Sequence, residues 1–235
     1  MQATVCLPTY NERENVERMV RTLHGLGVSV LVIDDGSPDG TGDIADSLAE
    51  ELEGVSVLHR AHKEGLGPAY LAGFQRALAD GADLILEMDC DFSHDPADVP
   101  RLLAAAQEAD LVLASRYVAG GGTRNWGFVR RFISRGGSLY AQILLGLRIH
   151  DLTGGFKCYR RTVLETIDLD AISSRGYAFQ IETTYRALRA GFRVVEVPIT
   201  FVDRERGGSK MSRGIVLEGF WKVPVLRLRA LAGRL

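Results

Sequence analysis

The chain has 235 residues, 46% apolar and 25% charged, the make-up of a globular protein with one large or two small domains. It holds no run of 18 apolar residues, so the sequence offers no membrane-spanning helix, and Met1 leads almost at once into a strand, so no signal peptide is expected. The net charge of −2 and the few clustered aromatics argue against nucleic acid, but that charge is unevenly spread: residues 1–115 hold 21 acids and 7 Lys/Arg, residues 116–161 one acid and nine Lys/Arg, and residues 201–235 three acids and eight Lys/Arg.

Residues 3–7 read as a first strand, closed by Pro8-Thr9-Tyr10. Asn11 and Glu14 have the spacing of a capping box for a helix carrying Val16, Met19, Val20 and Leu23. Residues 28–33 form a second strand that runs into Asp34-Asp35-Gly36-Ser37. A helix with Ile44, Leu48 and Leu52, a strand at 55–58 and a helix opened by Gly65-Leu66-Gly67-Pro68 follow. The apolar run Leu84-Ile85-Leu86 then ends in Glu87-Met88-Asp89-Cys90-Asp91-Phe92-Ser93-His94. Asp95 and Pro96 suit the N-cap and first position of a further helix, and residues 111–114 form a strand that ends at Ser115-Arg116-Tyr117.

This alternation predicts an α/β fold with a doubly wound, mainly parallel sheet. Beyond residue 116 the rhythm breaks. Residues 120–123 read as a flexible glycine loop, 128–147 as a helix with Arg130, Arg131 and Arg135, and 151–157 as a glycine-bent segment leading to Tyr159. Further helices are expected over about 160–166 and from Gly176, and one late strand over 194–200. Residues 204–212 are polar and glycine-rich. The tail 214–235 is apolar and basic, with Pro224 expected to kink or break a helix. The division expected is a domain over 1–213, with halves 1–115 and 116–213, and an amphipathic tail over 214–235. Three cysteines without paired spacing suggest buried free thiols in a reducing compartment.

Asp89 and Asp91 lie two apart, so in extended chain both point to one face. Ligands of such sheets bind beyond the carboxyl ends of the strands. The pair reads either as oxygen ligands for Mg²⁺ or Mn²⁺ or as ordinary acidic caps of a solvated turn. Dinucleotide-binding, P-loop and nucleophile-elbow glycine motifs are all absent. His94 reads as a structural hydrogen-bonder.

Pro8-Thr9-Tyr10-Asn11-Glu12, Asp34-Asp35-Gly36-Ser37 and Asp89-Cys90-Asp91 together resemble the family 2 glycosyltransferases of GT-A fold. Asp151-Leu152-Thr153-Gly154-Gly155-Phe156, Gly176-Tyr177-Ala178-Phe179-Gln180-Ile181-Glu182 and the stretch 201–212 narrow the resemblance to polyprenyl-phosphate (dolichyl-phosphate) mannose synthases. It covers residues 4 to about 213. Cys90 stands where that family usually has alanine, and Ser93 where it often has glutamine.

The resemblance implies inverting transfer of mannose from GDP-mannose to a polyprenyl (dolichyl) monophosphate. Pro8, Tyr10, Glu12 and Asp35 would border the guanosine, and Asp89, Asp91 and Ser93 would hold Mg²⁺ or Mn²⁺. Two phosphorylated substrates repel, and Arg116, Arg130, Arg131, Arg204 and Lys210 are the candidates to neutralise them, with Gln180 and Glu182 near the sugar or the basic loop. Adjacent helix positions diverge by about 100°, so Arg130 and Arg131 are not both expected to serve. A donor such as UDP-glucose, or a sensor that binds nucleotide sugars without turnover, are the rival readings. The basic tail with Trp221 fits the headgroup layer of an anionic leaflet or a membrane-anchored partner, with packing on the protein's own core as the alternative, and the protein is expected at the cytoplasmic membrane face.

Overall fold

Short apolar runs punctuated by glycine turns fold the first half into alternating strands and helices. In the computed structural model these are β1 (Ala3–Thr9), α1 (Val16–His24), β2 (Ser29–Asp34), α2 (Thr41–Glu51), β3 (Val55–His59), α3 (Leu66–Ala79), β4 (Leu84–Glu87), α4 (Val99–Ala105) and β5 (Leu111–Ser115). The second half adds β6 (Gly122–Arg124), α5 (Phe128–Leu145), β7 (Lys157–Arg160), α6 (Arg161–Thr166), α7 (Gly176–Arg189), β8 (Val194–Pro198), β9 (Thr200–Val202) and α8 (Arg213–Leu231). The structure describes residues 1–174, 176–203, 213–233 and 235, without the side chains of 213–217 and 219.

Seven strands form one sheet in the order β3-β2-β1-β4-β7-β5-β8. All neighbours are parallel except β7, which runs antiparallel between β4 and β5. Thr9 lies opposite Asp34, so β1 and β2 end level, while the parallel β4 ends at Glu87 opposite Cys6. The three acidic or polar strand ends therefore share one edge of the sheet, where ligands of such folds bind.

Side chains alternate across each strand and feed two cores. Cys6, Leu31, Ile33 and Ile85 pack with residues of α3, α5 and α7. Val5, Leu7, Val30, Val32 and Leu86 pack with residues of α1, α2 and α4. Each such fully buried aliphatic side chain stabilises the fold by roughly 1.5–3 kcal/mol. Cys6, Cys90 and Cys158 are buried and form no disulfide, and burial raises the thiol pKa of Cys158 to about 12.

Several sequence expectations change. The capping box does not form: Asn11 has a φ of 55°, and α1 begins only at Val16. The backbone N–H groups of Asn11, Glu12 and Arg13 instead donate to Ser37 Oγ, Thr41 Oγ1 and Asp39 Oδ2, which pulls the chain toward the β2–α2 loop. The glycine loop contains a strand, β6, paired in parallel with β9. Gly121 is required there, because a Cβ would lie 2.6 Å from the Ser115 carbonyl oxygen. The late strand divides at Ile199 into β8 and β9. Residues 157–160 form β7, a strand the sequence did not announce.

Pro224 neither ends nor interrupts α8. A proline deprives the carbonyl four residues earlier of its helix bond. That carbonyl belongs to Phe220, and Tyr140 Oη donates to it at 2.9 Å while the two rings stack 5.0 Å apart. One face of α8 thus packs on α5, with Val223, Leu226 and Ala230 buried.

Candidate active site

The candidate site is built where β1, β2, β4 and β5 end. On the nucleotide side, Pro8 lies within β1 opposite Ile33, and Tyr10 carries the Lys63 ammonium 3.7 Å from its ring centre. Glu12 Oε2 accepts from Asn15 Nδ2 at 2.9 Å. Asp35 is buried, and its carboxylate pairs with Arg60 and accepts from the N–H groups of Glu64 and Gly65. Asp35 therefore holds the loop 60–65 in place. Both oxygens of this carboxylate, expected to border the guanosine, are engaged by protein donors.

Beyond β4, Asp91 is buried and its Oδ1 accepts from Ser93 N at 3.0 Å. This turn holds Phe92 in the left-handed region at φ 57°, a strained setting for an aromatic residue, with the Arg18 guanidinium 4.4 Å over its ring. Asp89 N donates to His94 Nδ1 at 3.3 Å. His94 is buried between Phe156 and Phe201, and burial lowers its pKa to about 4, against the upward pull of Asp91. The imidazole is neutral near pH 7 and takes the structural part expected of it.

Two carboxylates and a hydroxyl form an all-oxygen set that fits a hard divalent cation. Ser93 Oγ is buried with no hydrogen-bond partner among the described residues, which is the kind of group a cation or its water would satisfy. No group of three or more His, Cys, Asp or Glu gathers into a cage among the described residues. An ion at Asp89 and Asp91 would complete its shell with substrate oxygens and water.

Sequence reasoning left out the ground beneath this pair. Glu87, two residues before Asp89, is fully buried, and Tyr159 Oη donates to its Oε1 at 2.7 Å. Burial raises the Glu87 pKa, opposed by Lys157, Tyr159 and Gln180. Lys157 Nζ donates to the Gln180 carbonyl at 2.8 Å and to Thr183 Oγ1 at 3.1 Å, and burial lowers its pKa to about 8. The period-two row Glu87, Asp89, Asp91 is the signal that could have pointed to Glu87. Its partner Lys157 is supplied by β7, 70 residues away.

The arginines divide sharply. Arg116 is buried and grips Asp151 with Nε and Nη2, both at 2.7 Å, while Nη2 also donates to Thr153 Oγ1 at 2.9 Å. Burial alone would lower the Arg116 pKa, but Asp151 more than reverses that and raises it. Burial would likewise raise Asp151, yet Arg116 holds its carboxyl below the ordinary value of 3.8. Arg116 thus positions the 151–155 turn instead of standing open to a phosphate, and Asp151 is its counter-ion.

Arg130 lies over Trp126 at 4.4 Å and donates from Nη1 to Asp203 at 2.6 Å, whereas Arg131 is exposed. Only one of the two arginines faces inward, as helix geometry demands. Glu182 is buried; Arg186 donates to its Oε1 and Ser174 to its Oε2. Both its oxygens are engaged within the protein, and it fastens α7. The Gln180 side chain is buried beside Gly155, where it helps hold down the pKa of Glu87. Arg204 and Lys210 lie outside the described residues.

A mainly parallel sheet with a carboxylate pair beyond its central strand defines a GT-A-type fold, the architecture of nucleotide-sugar-dependent transferases. Residues 4–168 match the Glycosyl transferase family 2, and the chain belongs to that family. It is 53% identical over 220 residues to the undecaprenyl-phosphate mannosyltransferase of Micrococcus luteus, covering 93% of this chain and 90% of the relative. It is 52% identical over 223 residues to the polyprenol monophosphomannose synthase of Mycolicibacterium smegmatis, covering 93% and 84%. Among solved structures, glucosyl-3-phosphoglycerate synthase of Mycobacterium tuberculosis, in complex with Mn²⁺, UDP-glucose and phosphoglyceric acid, matches 99% of this chain and 80% of its own. The TM-score is 0.66 at 19% identity, a likeness of fold.

Proposed function

We propose that this protein transfers mannose from GDP-mannose to a polyprenyl monophosphate, with inversion, releasing GDP. What carries the reading is the Asp89–Asp91 pair at the ligand edge of the sheet, in a chain half identical to two polyprenyl-phosphate mannosyltransferases. An acceptor phosphate oxygen attacks the anomeric carbon, the bond to the β-phosphate oxygen breaks, and its electron pair leaves with the diphosphate. The acceptor is largely ionised already, since the second pKa of a phosphate monoester is about 6. No strong general base is needed, which fits an Asp151 already bound to Arg116.

In this reading Asp89, Asp91 and Ser93 hold Mg²⁺ or Mn²⁺, which supplies charge neutralisation on the leaving diphosphate. Pro8, Tyr10 and Glu12 border the guanosine. Asp35 acts from behind by fixing the 60–65 loop. Arg130 meets the acceptor, and Arg116 shapes its surroundings.

The lipid acceptor calls for a place at the membrane. No helix among the described residues is long and apolar enough to cross one. A peripheral seat at the cytoplasmic face is supported by the exposed Phe220, Trp221, Val225, Leu228 and Leu231 of α8, interleaved with Lys222, Arg227 and Arg229.

The deciding assay incubates the protein with Mg²⁺ or Mn²⁺, a short polyprenyl phosphate and either GDP-mannose or UDP-glucose, and measures lipid-linked sugar. Transfer from GDP-mannose is expected. Transfer from UDP-glucose alone would overturn the mannose assignment, and binding of nucleotide sugar without any transfer would favour a sensor.

A further inference from the structure

We propose that the buried residues Lys157 and Tyr159 are positioning residues of the transfer reaction: through Thr183 and Glu87 they fix the Asp89–Asp91 pair relative to the Arg116–Asp151 turn. This rests on the function proposed above and concerns residues that reach neither substrate.

Strand register sets the placement. β4 and β7 have four residues each, and Glu87 lies opposite Lys157 in their antiparallel ladder. On its other side Lys157 lies opposite Leu113 of β5. One residue thus stands between the strand that ends two residues before Asp89 and the strand that ends next to Arg116. β7 also begins two residues after the 151–155 turn, and the intervening Phe156 carbonyl accepts from Ala114 N of β5 at 2.9 Å. The side chains continue the link. Lys157, Tyr159, Glu87 and Thr183 are each at most 1% exposed. The Lys157 ammonium donates to the Gln180 carbonyl at 2.8 Å and to Thr183 Oγ1 at 3.1 Å. Thr183 Oγ1 lies 3.1 Å from Tyr159 Oη, which donates to Glu87 Oε1 at 2.7 Å. Ammonium and carboxylate are joined in this way through two hydroxyls.

The Gln180 side chain closes the link to the turn, since a Cβ at Gly155 would lie 3.4 Å from its Nε2. Stability alone does not call for such a chain, because well-packed apolar side chains replace a buried ion pair at little or no loss. What the polar chain adds is register. A slip of one residue would turn Glu87 and Lys157 to the other face of the sheet, into the core that holds Leu86 and Cys158, with both charges unpaired. The pair therefore pins β4 and β7 at the end that leads to the carboxylates and to the turn. Tight placement matters there, because an error of about 1 Å among reacting groups costs about 10²-fold in rate.

Lys157→Met would strand the Glu87 carboxylate, so lighter changes in the full chain carry the test. Tyr159→Phe removes one hydroxyl and keeps the ring that meets Phe74 at 5.5 Å. Thr183→Val removes the other hydroxyl at nearly constant volume, and Thr183→Ser keeps it while losing a buried methyl. Mn²⁺ affinity is measured by calorimetry in the presence of GDP, and kcat and both KM values at saturating Mn²⁺. Tyr159→Phe and Thr183→Val should each weaken Mn²⁺ about tenfold, the low end for groups that orient metal ligands. Each should lower kcat by about tenfold or more and leave both KM values within about twofold, the pattern of lost positioning. Thr183→Ser should lower Tm yet keep Mn²⁺ affinity and kcat near wild type. Unmoved Mn²⁺ affinity in both Tyr159→Phe and Thr183→Val, with only Tm lowered, makes the chain purely structural and overturns the proposal while the proposed function stands. A wild type that transfers no mannose, but whose Mn²⁺ affinity falls with Tyr159→Phe, refutes the function and keeps the positioning role.

Discussion

Removing one partner of the Arg116–Asp151 pair should be among the most damaging single changes in this protein. Both side chains are buried, at 5% and 0% exposure, and Arg116 donates four hydrogen bonds here, three to Asp151 and one to Thr153. Asp151→Ala strands a guanidinium away from water, and breaking a buried pair in this way costs roughly 3–5 kcal/mol. In a chain of this size each kcal/mol lowers Tm by about 2–4 °C, so a loss on the order of 10 °C is expected. Arg116→Met/Asp151→Leu removes both charges, and should cost less than the sum of the single changes. The pH dependence has a definite sign. The Asp151 carboxyl is held below its ordinary value of 3.8 in the folded protein, so its contribution is fully present above that value and is lost as pH falls through the folded pKa. Thermal unfolding of the wild type, Asp151→Ala, Arg116→Met, Asp151→Leu and the double variant between about pH 3 and 7 checks both points. A cost under about 1 kcal/mol for Asp151→Ala, or strict additivity in the double variant, would show that the pair is not the buried, mutually dependent unit described here.

Asp91→Ala should lower transfer by about 10²–10³-fold, the scale of one lost electrostatic contact in a transition state, and should weaken Mn²⁺ binding by calorimetry; unchanged metal affinity would remove Asp91 from the metal site. Tyr140→Phe should destabilise the protein by about 1 kcal/mol, and by less in a Pro224→Ala background, where the restored backbone N–H can reach the Phe220 carbonyl; equal losses in denaturant melts would refute the link. Gly121→Ala should cost about 1–3 kcal/mol, because its Cβ would meet the Ser115 carbonyl at 2.6 Å; unchanged urea stability would mean the loop yields freely. A 1–213 truncation should float less well with anionic liposomes than the full chain, and equal flotation would move the membrane contact off α8.

Much of this site could be read from the linear chain, and the reason is local. Apolar runs ending in Asp34-Asp35, in Asp89-Cys90-Asp91 and in Ser115-Arg116 mark strand ends, and alternating helices require those ends to face one way. The two-residue period that puts Asp89 and Asp91 on one face applies to extended chain, and β4 ends at Glu87, before both. The divergence of Arg130 from Arg131 follows from about 100° per residue. What each charged group does was decided by contacts distant in sequence. Arg116 meets Asp151 35 residues on, which turned an expected phosphate ligand into a positioning residue. Asp35 is claimed by Arg60, Glu182 by Arg186 and Ser174, and Glu87 lies in one buried network with Tyr159 and Lys157. Strand β7 has only four residues, Lys157 to Arg160, and its pairing depends on two strands already in place. A sequence displays which residues carry charge and which face of an element they occupy. Whether a charge is neutralised inside the protein or left for a ligand depends on its desolvated neighbours, and only the tertiary structure supplies them.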